Sequence, residues 1–356
     1  MAQSILSTLM EEILKNQNHD SSIERCRAII KEIETTLDKR VISYFASENG
    51  TDASSMVNDE DVFFIENLLN IPTDKKDLIL ILHSNGGYSI SAERIIDVCR
   101  NYCSQKNNGS KFIVIVPKKA KSAATIVALG SDKIYLRETA ELGPVDPQFI
   151  IADNLGQIQV QPAYLYVDAL ENFFYSEHEK THHRLFKKII ETKPIASLAE
   201  KMKVKLLEQC NYAMYVNAKN EIGLSDSIVE KIAKEKTSQN KKINYKDFDI
   251  FRDPHITKSH GRLINFSDLK MNTLRKENVI ECLDSFFEDD IDKAKYKNFD
   301  NLLWELYVRK RQLLNDTGHQ IVKTIESSDD FFINLGMKSG QKNTPPEEEV
   351  VVEEKT

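Results

Sequence analysis

The stretch "DLILILHSNGGYSISAERIIDVCRNYCSQKNNGSKFIVIVPKKAKSAATIVALGSDKIYL", residues 77–136, decides the fold. Three short apolar runs, "DLILILH", "KFIVIVP" and "KIYL", are separated by two helical patterns, "SISAERIIDVCRNY" and "SAATIVALG", the second closed by Gly130. Strands that are apolar throughout must be covered on both faces, and helices between them are the signature of a parallel sheet. An α/β fold with a parallel sheet core is therefore expected. Just upstream, "RVISYF" (Arg40 to Phe45) reads as another strand, and "VNDEDVFFIENLLN" as a helix that Asn58 or Asp59 can cap.

Farther out the pattern changes. Residues 1–38 read as two helices broken near "NQNHDSS", the first an amphipathic stripe of Ile5, Leu6, Leu9, Met10, Ile13 and Leu14 that must bury itself somewhere. From about Pro162 long charged helices follow, "PAYLYVDALENFFYSEHEKTHHRLFKKIIE" and "SLAEKMKVKLLEQCNYAMYVNAKNEIG". A lysine-rich linker, "KEKTSQNKKINYKD", precedes "FRDPHITKSHGRLINFSDLK", and a helical C-terminal section is expected from about Asn278 to Leu335. The end, "KSGQKNTPPEEEVVVEEKT", combines Pro, Gly and Glu and is expected to be disordered. No internal repeat is visible.

Composition narrows the function. The 356 residues, 41% hydrophobic, suffice for a large core. The formal charge of −7, with no dominating Lys/Arg run, shows no nucleic-acid footprint. Five scattered cysteines, Cys26, Cys99, Cys103, Cys210 and Cys282, form neither a disulfide framework nor zinc knuckles, which fits a reducing compartment. Cys99 and Cys103 could share a metal from one helix face but read better as buried core. No apolar run approaches the roughly 18 residues of a membrane span, and the N-terminus is acidic where a signal peptide would be basic. A cytoplasmic location is expected.

Two loops follow the carboxyl ends of buried strands, where α/β sheets place their chemistry. In "HSNGGYS", Gly86 and Gly87 can leave backbone N–H groups unobstructed, as an oxyanion hole requires, although a plain strand-to-helix turn has the same look. In "KKAKS", Ser122 stands at a helix start, where free N–H groups and the dipole stabilise developing negative charge. A serine there is more often only an N-cap.

The order of these loops, followed by "AELGPVDPQ", resembles the Clp and signal-peptide-peptidase superfamily and, within it, the serine dehydrogenase proteinase family. That family's His-Thr-Pro-Gly-Gly type turn corresponds to His83-Ser84-Asn85-Gly86-Gly87, and its Met-Ser-Gly-Gly-Thr type nucleophile segment to Lys121-Ser122-Ala123-Ala124-Thr125. Its Leu-Gly-Pro-Val-Asp-Pro-Gln segment is matched without change by Leu142 to Gln148, and a His-containing turn by Ser259-His260-Gly261-Arg262. The likeness covers roughly residues 35–275. Asn85 replaces the proline, Ala123 and Ala124 replace the glycines, and Asp168 aligns where family members carry a lysine.

The resemblance implies a Clp/crotonase-like fold of repeated ββα units for a protease domain 39–275, and patterning adds an N-terminal helical segment 1–38, a C-terminal helical segment 276–337 and an acidic tail 338–356. It implies Ser122 as nucleophile, His260 as base and Asp146 as the group orienting that histidine, with Gly86, Gly87 and Ala123 donating to the oxyanion. The chemistry is coherent, because a serine hydroxyl needs a base and the base needs a third group to fix its tautomer. Asp146, between Pro144 and Pro147, also reads as a solvated turn residue, and His260 as a surface histidine. Lys121 reads as a solvated lysine beside the nucleophile.

One rival motif is present. His178-Glu179-Lys180-Thr181-His182 spells the zincin H-E-x-x-H, but its charged surroundings, Glu177, Arg184, Lys187 and Lys188, fit a solvated helix face better. The leading expectation is a serine peptidase needing no cofactor or metal, acting on peptide or protein substrates and assembling as a homo-oligomer. The alternatives are a catalytically silent Clp-like scaffold, a Ser-Lys dyad peptidase and a zinc metallopeptidase.

Overall fold

The computed structural model describes residues 19–48, 54–106, 109–152, 158–175, 212–257, 259, 261–287, 293–315 and 321–335. The amphipathic N-terminal stripe, the H-E-x-x-H stretch, Cys210, His260 and the acidic tail lie outside the described residues.

Chain order begins with α1 (His19–Leu37), β1 (Arg40–Ala46), α2 (Asp59–Asn70), β2 (Leu78–His83), α3 (Ser89–Lys106) and β3 (Phe112–Val116). The expected apolar strands are all present. Next come β4 (Lys119–Ala120), α4 (Ala123–Gly130), β5 (Lys133–Leu136), β6 (Glu141–Leu142) and the hairpin β7 (Gln148–Ala152) with β8 (Ile158–Pro162). The remainder holds α5 (Ala163–Tyr175), α6 (Tyr212–Gln239), β9 (Ile264–Asn265), β10 (Ile280–Cys282), α7 (Lys293–Asn315), β11 (Ile321–Glu326) and β12 (Phe331–Leu335).

Seven strands form one sheet in the order β10-β5-β3-β2-β1-β11-β12. The five from β10 to β1 are mutually parallel, and β11 and β12 close the far side antiparallel. The fold is mixed α/β with a largely parallel sheet and extra helices. Period-two alternation sorts each strand between two cores. Ile42, Tyr44, Leu80, Leu82, Val114 and Val116 face a layer containing α2, α3, α4 and α6. Val41, Phe45, Ile79, Ile81, Ile113 and Ile115 face α1 and α7. That two-sided burial is why these strands carry continuous Ile, Leu and Val, each worth about 1.5–3 kcal/mol when fully buried.

Helix α4 is buried along all eight residues, which explains its unbroken run of small and apolar side chains. Helix α2 begins at Asn58, whose side chain accepts from the Asp61 N–H while the Asp61 carboxylate accepts from the Asn58 N–H. This is a capping box with Asp in the third position.

Two expectations need correction. The segment read as C-terminal helix carries α7 but also strands β10, β11 and β12, and β11 lies directly against β1. Its strand character was hidden because Lys323 and Glu326 interrupt the apolar run, although both are buried in ion pairs. Lys323 Nζ lies 2.7 Å from Asp61, and Lys310 pairs with Glu326. The "KEKTSQNKKINYKD" linker is not a linker at its start, since α6 continues through Gln239. Lys236 is buried there and donates to the Ser131 and Asp132 carbonyls just past the end of α4.

Candidate active site

Ser122 immediately precedes α4 with φ 49° and ψ −124°, a region that disfavours residues with a β-carbon. Such a conformation costs on the order of 1–3 kcal/mol and persists only where its surroundings enforce it. The expected capping role is not fulfilled, because the Ser122 side chain makes no cap hydrogen bond. Its backbone is gripped instead: the Ser122 N–H donates to the Pro144 carbonyl at 3.0 Å, and its own carbonyl accepts from the Ile126 N–H at 3.1 Å. A half-exposed hydroxyl on a strained strand-to-helix turn is available for chemistry.

The Gly-Gly loop comes to meet it. Ser84 pairs across to the nucleophile strand, its N–H donating to the Lys119 carbonyl and its carbonyl accepting from the Lys121 N–H. Gly86 then adopts φ 106° in a space that admits no side chain, since a β-carbon would lie 2.6 Å from the Ser122 Cβ and 2.9 Å from the Ala123 nitrogen. Only glycine permits both the dihedral and the approach.

The three expected oxyanion donors separate. Val57 bonds both neighbours of Gly87, its N–H donating to the Gly86 carbonyl and its carbonyl accepting from the Tyr88 N–H. In an extended chain that pattern turns the Gly87 N–H to the opposite side. The Ala123 N–H opens α4 and has no acceptor among the described residues. Gly86 is the correction: its N–H donates to the buried Ser84 Oγ at 3.0 Å, so it is occupied in holding the loop.

The invariant-looking "LGPVDPQ" match gains a physical reason. Beyond the Ser122–Pro144 bond, Thr125 Oγ1 accepts from the Gly143 N–H at 3.2 Å and lies 2.7 Å from the Ala120 carbonyl and 2.9 Å from that of Gly143. The segment is thus stitched to the head of α4 two and three residues before Asp146. Asp146 itself is buried, not a solvated turn residue, and with Asp168 its charge helps burial raise the Tyr164 pKa. The short sheet β4-β6-β9 sets Leu142 opposite Ile264, so the chain entering β9 from the Ser259–Arg262 turn runs antiparallel to the chain leaving β6 for Asp146. His260 lies outside the described residues.

Lys121 is not simply solvated. Its Nζ lies 3.2 Å from the Glu141 carboxylate, and a β-carbon on Gly143 would collide with its stem. Sequence reasoning also passed over Thr125, Ser84 and Glu48. Glu48, after β1, lies 3.1 Å from His83 Nε2 and 3.3 Å from Lys119 Nζ. The His83 bond, and then Lys119, pull its pKa down to about 2 against the opposing effect of burial. Burial pushes His83 below its ordinary value, against the opposing pull of the Glu48 carboxylate. Ser84 and Thr125 sit inside the two quoted motifs, whereas Glu48 belongs to no motif.

Among the described residues no cluster of His, Cys, Asp and Glu is arranged to hold a metal. No helix among them is long and apolar enough to cross a membrane.

Comparison with known proteins gives three results. Residues 6–161 match the model of a family described as ClpP-like SDH-type serine proteinase. Two uncharacterised proteins of Methanocaldococcus jannaschii are 29% identical over 124 residues and 40% identical over 77 residues, covering 33% and 22% of this chain. The matches span only 40% and 24% of those relatives' lengths. Among solved structures, a serine-to-alanine mutant of the membrane-bound stomatin-specific protease 1510-N gives a TM-score of 0.33 at 15% identity, over 73% of this chain and 86% of that one. A lysine-to-alanine mutant of that protease in complex with a substrate peptide gives 0.24 at 23% identity, over 39% and 57%.

Proposed function

We propose that this chain, a member of the ClpP-like SDH-type serine proteinase family through residues 6–161, hydrolyses peptide bonds by way of an acyl-enzyme on Ser122. The observation that carries this reading is the strained φ of 49° at Ser122 beside the two outward N–H groups of Gly87 and Ala123. A serine held off its cap, next to preorganised donors, suits attack on a carbonyl whose oxygen becomes negative.

In the proposed sequence Ser122 Oγ bonds to the peptide carbonyl carbon while His260 takes its proton. The Gly87 and Ala123 N–H groups receive the oxyanion. Collapse breaks the C–N bond, and His260 returns the proton to the leaving amine. Water then repeats the cycle on the ester, with Asp146 fixing the imidazole tautomer. Support for His260 is its place in the Ser259–Arg262 segment, which leads into β9, the strand paired with β6 just upstream of Asp146. Lys121 serves as a counter-charge, held 3.2 Å from the Glu141 carboxylate. Self-assembly and a cytoplasmic location belong to the same reading, checked by light scattering and cell fractionation.

The test is covalent labelling by a fluorophosphonate, followed by mass spectrometry. Adduct on Ser122 in the native chain, absent in Ser122→Ala, is expected. A folded protein that gives no adduct and hydrolyses no casein-derived peptide is the catalytically silent scaffold instead.

A further inference from the structure

Behind the oxyanion loop lies a polar cluster that the reaction above does not use. His83 ends β2 and is 2% exposed, and its place in the alternation turns it to the α1/α7 face, away from α4. It packs on Phe45 at 5.8 Å and edge-on to Tyr307 of α7 at 5.1 Å, with Trp304 stacked behind. That side of the sheet is opposite to Ser122, so His83 and Glu48 do not form a second base dyad for the serine.

Glu48 reaches three ways. One carboxylate oxygen lies 3.1 Å from His83 Nε2, immediately before the Gly-Gly loop. The other lies 3.3 Å from Nζ of Lys119, three residues before the nucleophile. Its backbone carbonyl accepts from the Asn85 side-chain amide at 3.0 Å. Asn85 is the residue standing where the family turn carries proline, so a hydrogen bond here replaces the rigidity of a ring.

We infer that Glu48 is a positioning residue: its carboxylate and carbonyl clamp the loop bearing the Gly87 donor to the strand bearing Ser122, setting the gap between oxyanion hole and nucleophile. The inference rests on the proposed hydrolase reading. The groups facing Glu48 are His83 from β2, Lys119 from β4, the Asn85 amide and Tyr307 from α7, with Arg311 of α7 acting on His83 and Tyr307. Because Lys119 and His83 hold the Glu48 pKa at about 2, the clamp stays closed across the range in which a histidine base operates. Its loss therefore lowers rate without moving the pH midpoint.

The experiment measures fluorophosphonate inactivation of the full chain, separating the saturating rate from the reagent's half-saturation concentration, across pH. Glu48→Ala is expected to cut the saturating rate by on the order of 10²-fold, as misplacement of a reacting group by an ångström does. Half-saturation, pH midpoint and melting temperature should stay close to the native values. Glu48→Gln, which keeps an acceptor for His83, should recover part of the loss. Lys119→Met should reproduce part of it and add nothing to Glu48→Ala. Should Glu48→Ala not fold, Lys119→Met carries the same readout from a residue at the rim. A folded Glu48→Ala labelled at the native rate overturns the clamp while leaving the hydrolase reading intact. A native chain that is never labelled overturns both.

Discussion

A β-carbon placed on Gly86 would sit 2.6 Å from the β-carbon of Ser122. The Gly-Gly loop and Ser122 thus occupy adjoining space with no side chain between them. Gly86→Ala must give up either the φ of 106° or that approach. Left-handed backbone alone costs an alanine about 1–2 kcal/mol. Loss of one oxyanion donor's alignment costs on the order of 10²–10³ in turnover. Peptide turnover in the folded variant is the measurement, and a near-native rate would contradict the described loop.

Ser122→Gly should separate stability from activity. Glycine accepts φ 49° and ψ −124° without strain, so the variant should be more stable by about 1–2 kcal/mol while losing all labelling. Ser122→Ala, which retains a β-carbon, should lose labelling without that gain. Chemical denaturation of the three proteins side by side checks this, and equal midpoints for Gly and Ala would show that the turn carries no strain.

The identity of the base follows from three substitutions. His260→Ala should lower turnover by several orders of magnitude, and Asp146→Asn by on the order of 10⁴ if it sets the tautomer. Lys121→Ala should cost far less, because its ammonium is tied to Glu141. Turnover of the native chain should rise through about pH 6–7, the range of an ordinary histidine. Near-normal turnover in His260→Ala, with a lysine substitution abolishing it, would establish the Ser-Lys alternative.

Lys236 should leave a signature in the pH dependence of stability. Burial brings its pKa down to about 8 from 10.5, so in that window the unfolded chain binds more protons than the folded one. Stability contributed by this residue therefore rises as pH increases from about 8 toward 10.5. Subtracting the urea stability curve of Lys236→Met from that of the native chain should reveal this slope. A flat difference over the window would mean that the ammonium is not desolvated at the end of α4.

The parallel core was legible because Leu78–His83 and Phe112–Val116 are apolar throughout, a pattern that two-sided burial alone demands. The place of Ser122 at the head of α4 and of the Gly-Gly turn after β2 was legible through local spacing. The Gly86 assignment failed because only the path of the chain shows Ser84 Oγ taking its N–H. Strand β11 was missed because its buried charges, Lys323 and Glu326, are neutralised by Asp61 and Lys310, partners distant in sequence or on another element. Glu48 carries no local signal, since its meaning comes from three partners on two other segments.

Deleting the chain from Ile321 onward should be severely damaging, because β11 is buried along nearly its whole length. It would strip β1 of its antiparallel neighbour and leave Asp61 and Lys310 buried without their partners, each such loss costing about 3–5 kcal/mol. An insoluble or molten product is expected, and a cooperative melt near the native temperature would contradict it.

The seat of β11 beside β1 also sets a timetable for synthesis. Lys323 and Asp61 are separated by 262 residues, which a ribosome traverses in roughly 13–50 s at 5–20 residues per second. Throughout that interval β1 is made but its outer edge is bare, and Asp61 has no ammonium to meet it. The nascent chain therefore emerges with its serine already translated and its sheet still open. The sheet therefore closes only after the last strands have left the exit tunnel.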